Sequence, residues 1–287
     1  MNEIKGKKES IMKSHCRTEF DTLKEVILCP PAYMRIKEVI NSIQAHYKDT
    51  NIDIPTALKQ HQTLIDTLSS LGVQIHELTA DESFPEQVFT RDIGFVLDQT
   101  MYLAALERPI RQGEEQVLKT YLDQRQIAYE PITEGTIEGG DVIIDGDHIY
   151  IGVSSRTCTE VIERIKKQHP DKTVQPIHFD SSYLHLDCVF NPVSDSLALI
   201  YPDAIEPESV KILSEHYSFI EVSKEEQFSL AVNVLSIGEG KIIVLPENKD
   251  TNQKLTEKGF DLYEVPFSEI IKSGGSFRCV TMPLIRS

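Results

Sequence analysis

Cys279 is the residue of this chain best suited to covalent chemistry. It follows the pair Gly274-Gly275, and glycine permits the unusual backbone angles that can present a side chain from the start of a strand. The thiolate is the nucleophilic form of cysteine, so a cysteine presented in this way predicts nucleophilic catalysis. The alternative is a cysteine that simply packs in the core, which is a common environment for this residue.

A histidine and a carboxylate lie two residues apart and could assist such a nucleophile. In an extended segment His185 and Asp187 project from one face, with Leu186 on the other. Histidine serves as an acid and a base in nucleophilic catalysis, and a nearby carboxylate can orient a cation. The alternative for this triplet is a half-exposed strand with a polar face.

Two further carboxylate motifs precede hydrophobic runs. Glu138 opens the sequence Glu-Gly-Gly-Asp over residues 138–141, and Asp92 ends Phe-Thr-Arg-Asp over residues 89–92. The alternatives are a turn for the first motif and a surface ion pair for the second. Asp92, Asp187 and His185 could also be metal ligands, but the sequence has no HExxH, CxxC or EF-hand spacing. We therefore expect no metal and no organic cofactor.

A regular spacing connects these motifs. Five residues recur at intervals of 49, 46, 46 and 46, and each opens a short hydrophobic strand: Asp92, Asp141, Asp187, Asn233 and Cys279. A period of this size indicates a repeat architecture. If the repeats close on themselves, these five residues point towards a common centre, so the spacing predicts a fold and a site together.

Each repeat has the pattern of a β-hairpin, a helix and a further strand. The hairpin turns contain Gly and Asp, most clearly at 145–147 and 238–240. Helical spacing of apolar residues follows at 112–125 and 157–168, with shorter patterns at 207–216 and 248–258. Short strands are then predicted at 127–131, 174–179, 219–222 and 262–265.

The fifth unit needs residues from both ends of the sequence. Residues 279–285 supply one strand, and residues 23–29 are strand-like, so we predict that the two pair and close a ring. Helices are predicted at 32–48 and 55–71, before a strand at 73–78. We interpret residues 1–15 as a mobile N-terminal tail and residues 16–287 as a single catalytic domain.

Composition restricts the class of protein and its partners. The net charge is −16, which argues against nucleic-acid binding and fits a small cationic substrate or ordinary solubility. No apolar run approaches the roughly 18 residues of a membrane helix, and residues 1–10 lack the apolar region of a signal peptide. The five cysteines have no paired spacing, which favours a reducing cytoplasm. Assembly into a homo-oligomer is left open.

The motifs, taken in order, resemble the guanidino-group-modifying enzymes, which share the pentein fold. That superfamily includes dimethylarginine dimethylaminohydrolases, arginine deiminases and amidinotransferases, and the resemblance covers about residues 23–287. It implies an α/β fold, a five-bladed αβ-propeller of ββαβ repeats with pseudo-fivefold symmetry. It also implies roles for seven residues: Cys279 as nucleophile, His185 as acid and base, Glu138 as its carboxylate partner, Asp92 and Asp187 as guanidinium ligands, and Arg156 and, more weakly, Arg111 as ligands of a substrate carboxylate. Asn233 resembles a position that lines or supports the site.

The implied reaction is hydrolysis of a guanidino C–N bond through a covalent thiouronium intermediate on Cys279. The length of the chain favours a dimethylarginine dimethylaminohydrolase-like enzyme, whereas Asp187 and the motif at 89–92 look more like the deiminases and amidinotransferases. Arg278 occupies a position often held by histidine, and could bind a carboxylate or exclude ordinary arginine. An alternative from another class is a propeller that binds without catalysis.

Overall fold

Five small β-sheets of three strands each form the framework of the computed structural model, which describes residues 14–287. In every sheet the central strand pairs antiparallel with one neighbour and parallel with the other. This mixed pairing is what a hairpin, a crossover and a returning strand produce, so the chain is an α/β protein.

Four of the sheets are continuous in sequence. Each begins with a hairpin and takes its third strand after a crossover: β3 (Gly94–Leu97), β4 (Thr100–Leu103) and β5 (Tyr129–Pro131); β6 (Val142–Asp145), β7 (His148–Val153) and β8 (Thr173–His178); β9 (Phe190–Pro192), β10 (Leu197–Ile200) and β11 (Ser218–Glu221); β12 (Leu235–Gly238), β13 (Lys241–Val244) and β14 (Asp261–Glu264). The ββαβ unit predicted from the spacing is therefore confirmed in each of these sheets.

The remaining sheet joins the two ends of the described chain. β1 (Leu23–Leu28) lies between β15 (Met282–Arg286), with which it is antiparallel, and β2 (Gln74–Glu77), with which it is parallel. The predicted pairing of the N-terminal strand with the C-terminal strand is confirmed. It covers a β-edge that each end of the repeat array would otherwise expose.

Seven α-helices connect these strands within residues 14–287. The four that cross between the second and third strands of the continuous sheets are α3 (Glu114–Arg125), α4 (Thr159–Gln168), α5 (Pro207–Ser214) and α7 (Lys249–Glu257). The others are α1 (Ser42–Tyr47), α2 (Ile54–Ser70) and α6 (Lys224–Phe228). Helix α2 has Asp53 as its N-cap and Pro55 in its first turn, so its start is encoded locally.

The core lies where the helices pack on the sheets. In α4 the residues Val161, Ile162 and Ile165 are fully buried, and they pack with β6 and β7 residues such as Val142 and Ile151. The first strands of the hairpins are buried along most of their length, which fits their mostly apolar sequences. The turns that precede these strands are therefore supported by a layer of buried apolar side chains.

Three sequence predictions need correction. The helix predicted over 32–48 begins only at Ser42, because Asn41 caps it there and the Asn51 side chain instead bonds both backbone groups of Ile36. The five recurring residues lie in turns just before the strands and do not open them. The predicted tail is also too long: Ser14 is buried, and His15 exchanges backbone hydrogen bonds with Leu284 and Arg286. Residues 1–13 lie outside the described residues.

Over residues 14–287, no helix has both the length and the apolar character that a membrane span requires.

Candidate active site

The five recurring residues occupy turns that are hydrogen-bonded to one another in a cycle. We call these turns, together with their connecting hydrogen bonds, the turn ring. Five bonds complete it: Gly139 N to Asp92 O, Leu186 N to Asp141 Oδ1, Asn233 Nδ2 to Asp187 O, Cys279 N to Asn233 Oδ1, and Arg91 N to Cys279 O, with lengths of 2.9 to 3.1 Å. The sequence period thus marks five turns that meet at one place.

The turn ring brings six chemically active side chains together in two groups. The histidine cluster consists of Asp92, Glu138 and His185, and the thiol cluster consists of Asp187, Cys188 and Cys279. In each cluster, the polar atoms lie within 4.8 Å of one another. None of these six residues is more than 2% exposed. All five predicted residues of the catalytic and guanidinium-binding set therefore lie in these two clusters, and Cys188 is an unpredicted addition.

His185 is held between two carboxylates. Its Nε2 lies 2.7 Å from Glu138 Oε2, and its Nδ1 lies 3.5 Å from Asp92 Oδ1. Burial alone would lower the pKa of His185, but Asp92, Glu138 and Asp141 outweigh burial and raise that pKa to about 10. Burial raises the pKa of Glu138, but the His185 hydrogen bond and Arg156 bring it down to about 2. The pair is therefore an imidazolium and a carboxylate at neutral pH.

Cys279 has weaker polar contacts than His185. Its Sγ lies 3.7 and 3.8 Å from the two oxygens of Asp187, whose Oδ1 is also 3.6 Å from Cys188 Sγ. The neighbouring Cys188 thiol, burial and the Asp187 carboxylate all raise the pKa of Cys279 well above its usual value. With its pKa raised in this way, Cys279 is a neutral thiol at neutral pH.

Two buried atoms of the histidine cluster have no hydrogen-bond partner among residues 14–287. They are Asp92 Oδ1 and His185 Nδ1. A bare acceptor beside a charged imidazole is costly in the interior unless a ligand can bond to it. A planar cation with several N–H donors would satisfy Asp92 and lie against Asp187 as well.

Asn233 fixes the backbone around Cys279. Its side-chain oxygen accepts hydrogen bonds from the backbone N–H groups of Ser276 and Cys279, both at 3.1 Å, and its amide donates to Asp187 O. Asn233 is fully buried. Its membership of the spaced series was the signal for a supporting role, and the contacts show that it sets the relative positions of thiol and carboxylate.

Asp141 supports the segment that carries Arg156. Its Oδ2 accepts hydrogen bonds from Ser154 Oγ at 2.6 Å and from Thr157 Oγ1 at 2.7 Å, and these two residues flank the arginine. Burial raises the pKa of Asp141 to about 6. The aspartate thus acts as a brace for the loop that follows β7.

Arg156 and Arg111, the two predicted carboxylate ligands, have different environments. Arg156 Nη1 lies 3.4 Å from Glu138 Oε2, and its Nη2 donates to the backbone carbonyl of Ile40 at 3.3 Å. Arg111 is fully engaged with carboxylates of the protein, at 2.6 Å from Asp92 Oδ2 and 2.8 Å from Glu114 Oε2. Arg156 therefore has a replaceable partner, whereas Arg111 orients Asp92.

Charge in the clusters is balanced by protein cations. Arg111 binds Asp92, Arg156 and His185 bind Glu138, and the Nε of Arg278 lies 3.4 Å from Asp187 Oδ2. The cysteines and carboxylates have the donor types of a metal site, but these cations already compete for the same oxygens. The protein's own cations therefore weigh against a multivalent ion at this place.

The segment before α1 and the first turn of that helix pack beside the site. Asn41 Nδ2 donates to Ser273 O, and Gln44 Nε2 bonds both Glu86 and Ser273 Oγ at 2.8 Å. A cavity of about 30 Å³, room for a water molecule, lies between this segment and Cys188. Because the clusters are enclosed, a ligand can enter only if such a covering segment moves.

Comparisons with known proteins show the family to which the chain is similar. The family model described as N,N dimethylarginine dimethylhydrolase, eukaryotic, matches residues 30–286. The uncharacterized protein YkgA of Bacillus subtilis is 50% identical over 274 residues, 96% of each chain. The N(G),N(G)-dimethylarginine dimethylaminohydrolase of Mycobacterium tuberculosis is 26% identical, covering 90% of this chain and 84% of the relative.

A solved structure has the same fold. The product-bound N-terminal domain of ArgZ, described as an arginine dihydrolase from the ornithine-ammonia cycle in cyanobacteria, superposes with a TM-score of 0.85 at 24% identity. The match covers 93% of this chain and 98% of that domain.

Proposed function

This chain belongs to the family of N,N-dimethylarginine dimethylhydrolases, and we propose that it hydrolyses a guanidino C–N bond of an arginine-type small molecule, with Cys279 as the nucleophile. The observation that carries the proposal is the pairing of the two clusters. A charged imidazole with a bare aspartate oxygen lies beside a neutral thiol on a second aspartate. A guanidinium ion complements both.

Binding would place the guanidinium between Asp92 and Asp187. Charge-assisted hydrogen bonds to the two carboxylates fix the plane of the cation and exclude water from it. The added positive charge also opposes the effect of Asp187 on Cys279, so it lowers the pKa of the thiol at the moment of binding. Substrate binding and activation of the nucleophile are thereby the same event.

The chemical steps then follow from the positions of the groups. Guanidinium binding ionises Cys279, whose proton leaves to solvent, and the thiolate adds to the central carbon. Protonated His185 gives a proton to the amine as the C–N bond breaks, which leaves a thiouronium on Cys279. Neutral His185 then removes a proton from water, the hydroxide adds to the same carbon, and the C–S bond breaks as the new hydroxyl proton passes to the departing sulfur. The products are a ureido compound, the amine and the regenerated thiol, so water supplies the oxygen. No step in this scheme needs an electron acceptor.

Arg156 is the proposed ligand of the substrate α-carboxylate. Its contact with the Ile40 carbonyl is a bond to an oxygen that a carboxylate can replace when the covering segment moves. Arg111 is less suited to that role, because releasing it from Asp92 and Glu114 would leave two buried carboxylates unpaired. We therefore assign Arg111 to positioning Asp92.

The family match favours N-methylated arginines as substrates. A specific observation favours a second candidate, unsubstituted arginine: Asp187 adds a second carboxylate that can bind an unsubstituted terminal N–H₂ group. Transfer of the amidino group to an amine in place of water is chemically compatible with the same intermediate. A non-catalytic propeller is the remaining alternative.

We also infer that the five sheets are blades of a closed αβ-propeller. Pairing of β1 with β15 and the cycle of bonds in the turn ring support this arrangement.

The test is a substrate panel with the purified full chain. Arginine, dimethylarginine, agmatine and a neutral amide analogue of arginine are incubated with and without a primary amine acceptor, and ureido product and released amine are quantified. We expect one ureido product, a trapped adduct on Cys279 and no turnover by Cys279→Ala. An adduct on Cys158 or Cys188 with Cys279 unmodified, or turnover of neutral amides as fast as guanidines, would contradict the proposal.

A further inference from the structure

An N-terminal segment lies across the hairpin turns, at the opposite end of the first strands from the turn ring. This segment, residues 14–22, is called the strap. It bonds to β15 through His15, to the β3–β4 turn through Cys16 and Asp98, and to the β6–β7 turn through Arg17 O and Gly146 N. At the β12–β13 turn, Thr22 packs directly on Gly238. A Cβ atom added to Gly238 would lie only 2.4 Å from the Cα of Thr22. The strap therefore contacts four of the five sheets.

Glu19 is a charged residue of the strap whose side chain is buried in the protein. It is 4% exposed, and its Oε1 lies 2.8 Å from Arg91 Nη2 while its Oε2 lies 2.7 Å from Arg278 Nη1. The backbone N–H of Ile144 also donates to Oε1. The family match begins at residue 30 and therefore does not include Glu19. Glu19 is also not one of the seven predicted site residues.

Each arginine held by Glu19 directly precedes a residue of the two clusters. Arg91 precedes Asp92, and Arg278 precedes Cys279. Arg278 faces Asp187 with its Nε at 3.4 Å from Oδ2, yet that Nε has no hydrogen-bond partner among residues 14–287. The guanidinium is thus close to the carboxylate but does not bond to it, and its Nη1 and Nη2 are bound instead to Glu19 and, at 3.3 Å, to the carbonyl of Val142.

We propose that Glu19 is a positioning residue that holds Arg278 away from Asp187, and so leaves this carboxylate free to bind a substrate cation. If the Glu19 carboxylate is removed, Arg278 loses its partner at Nη1, while its Nε already faces Asp187 without a hydrogen bond. Arg278 would then form with Asp187 the charge-assisted hydrogen bond that the substrate otherwise makes. The part of the proposal that concerns substrate rests on the proposed function, whereas the effect on the Cys279 thiol does not.

The direction of the effect on the thiol follows from all the charges that face it. Asp187 and Asp92 oppose the thiolate, Cys188 contacts the thiol, and Arg278 favours the thiolate. Behind them Glu19 faces Arg91, Arg278 and Arg286, and Cys16 lies in the same region. Loss of the Glu19 charge raises the positive potential here, and movement of Arg278 towards Asp187 raises it further. Both changes make Cys279 easier to ionise.

The experiment compares wild type with Glu19→Gln, and uses Asp21→Asn as the matched control on the same strap. Asp21 is half-buried, and it is its backbone carbonyl that binds Arg286. We expect Glu19→Gln to raise KM for the guanidine substrate by roughly ten- to a hundredfold, the range of a lost charge-assisted bond, with a much smaller change in kcat. Asp21→Asn should leave both constants within about twofold.

Alkylation of Cys279 by iodoacetamide, followed by peptide mass mapping over a range of pH, gives a second measurement that needs no substrate. In Glu19→Gln the pH midpoint of alkylation should fall, although binding is weaker. A looser structure would instead raise the rate at every pH and leave the midpoint in place. If wild type turns over no guanidine, the proposed function fails, and the midpoint still decides the role of Glu19.

The double variant Glu19→Gln/Arg278→Met separates a misplaced arginine from a damaged fold. Removing the released guanidinium should recover most of the loss in KM and return the midpoint towards wild type. Glu19→Asp retains the charge but is shorter, so it should move KM and the midpoint in the same directions by less, and it replaces Glu19→Gln if that variant is insoluble. An unchanged midpoint, or kcat and KM altered equally with no recovery in the double variant, would overturn the proposal.

Discussion

The histidine cluster and the thiol cluster are built from adjacent turns, but they differ in how firmly their polar atoms are held. His185 and Glu138 are 2.7 Å apart, and Arg111 lies 2.6 Å from Asp92. In the thiol cluster the contacts of Cys279 and Cys188 with Asp187 are 3.6 to 3.8 Å long. His185, the proposed acid–base group, is fixed in its charged state, whereas Cys279, the proposed nucleophile, is uncharged and weakly bonded.

This difference indicates a division of labour. Preorganised charges lower a barrier because they need no rearrangement during the reaction. A buried thiolate without a cation would be costly and open to oxidation, so leaving it protonated until a guanidinium arrives protects it. In the proposed reaction, the protein supplies the acid in advance and the substrate supplies the charge that ionises Cys279.

Breaking the histidine cluster should have the largest effect. Glu138→Gln keeps the shape of the side chain but removes one of the charges that hold His185 protonated and the carboxylate that pairs with Arg156. We expect kcat to fall by roughly 10²- to 10⁴-fold, the range for general acid–base groups. Steady-state kinetics measures this, with the exposed Glu134→Gln as control. A loss under about threefold would show that His185 does not depend on Glu138.

Asp187→Asn should have a smaller effect, and one that distinguishes the two clusters. The variant loses a charged hydrogen bond to the substrate, so kcat/KM should fall by roughly ten- to a hundredfold. The pKa of Cys279 should fall as well, because the Asp187 carboxylate is one of the groups that raise it. Alkylation at lower pH together with slower turnover is the expected pair of results. Alkylation that moves to higher pH would contradict the assigned charge of Asp187.

The dependence of rate on pH can show whether the substrate activates the thiol. In the free enzyme, the pKa of Cys279 is raised by Cys188, burial and Asp187, so kcat/KM should increase as the pH rises past 9. His185, with a pKa of about 10, is protonated at pH 9 and loses its proton as the pH rises further, which limits the increase in kcat/KM. A bound guanidinium lowers the pKa of the thiol, so the rising limb of kcat should lie at lower pH than that of kcat/KM. Coincident limbs would show that the thiol is activated without the substrate.

Cys188→Ser should have the smallest effect. Cys188 contacts Asp187 at 3.6 Å and contributes to the raised pKa of Cys279, but no step of the proposed reaction uses it. We expect kcat and KM to change by less than about threefold, in line with substitutions outside the main mechanisms of destabilisation. A loss of activity as large as that of Cys279→Ala would show that the nucleophile has been assigned to the wrong cysteine.

The sequence was sufficient for features that repeat and insufficient for features that do not. The period of 46 residues located the turns, and hydrophobic strand runs located the hairpins and the pairing of β1 with β15. The strap has no period, and nothing in its composition marks Glu19 as buried. The engagement of Arg111 with Asp92 and Glu114 is also invisible in the sequence, because an ion pair depends on positions in space and not on residue spacing.

One signal for the missed residues was nevertheless present. Arg91 and Arg278 each precede a residue of the site by one position, in two different repeats. Two buried arginines so close to the same centre require a shared anion, and Glu19 meets that requirement. In contrast, the break in the predicted helix at 32–48 depends on side-chain bonds from Asn41 and Asn51 that compete locally with helix formation.

The turn ring also has a consequence for the order in which the molecule folds. Its last bond joins Arg91 to Cys279, and beside it Thr90 Oγ1 lies 2.9 Å from the carbonyl of Val280, 190 residues away in sequence. Contacts of such long range form slowly, because the entropy of closing the loop is lost before the contact is gained. Individual hairpins can therefore form early, whereas Cys279 comes next to Asp187 only when the seam, the pairing of β1 with β15, has formed. Regain of activity during refolding should accordingly lag behind regain of secondary structure, and local opening of this seam would silence the enzyme without unfolding the other four sheets.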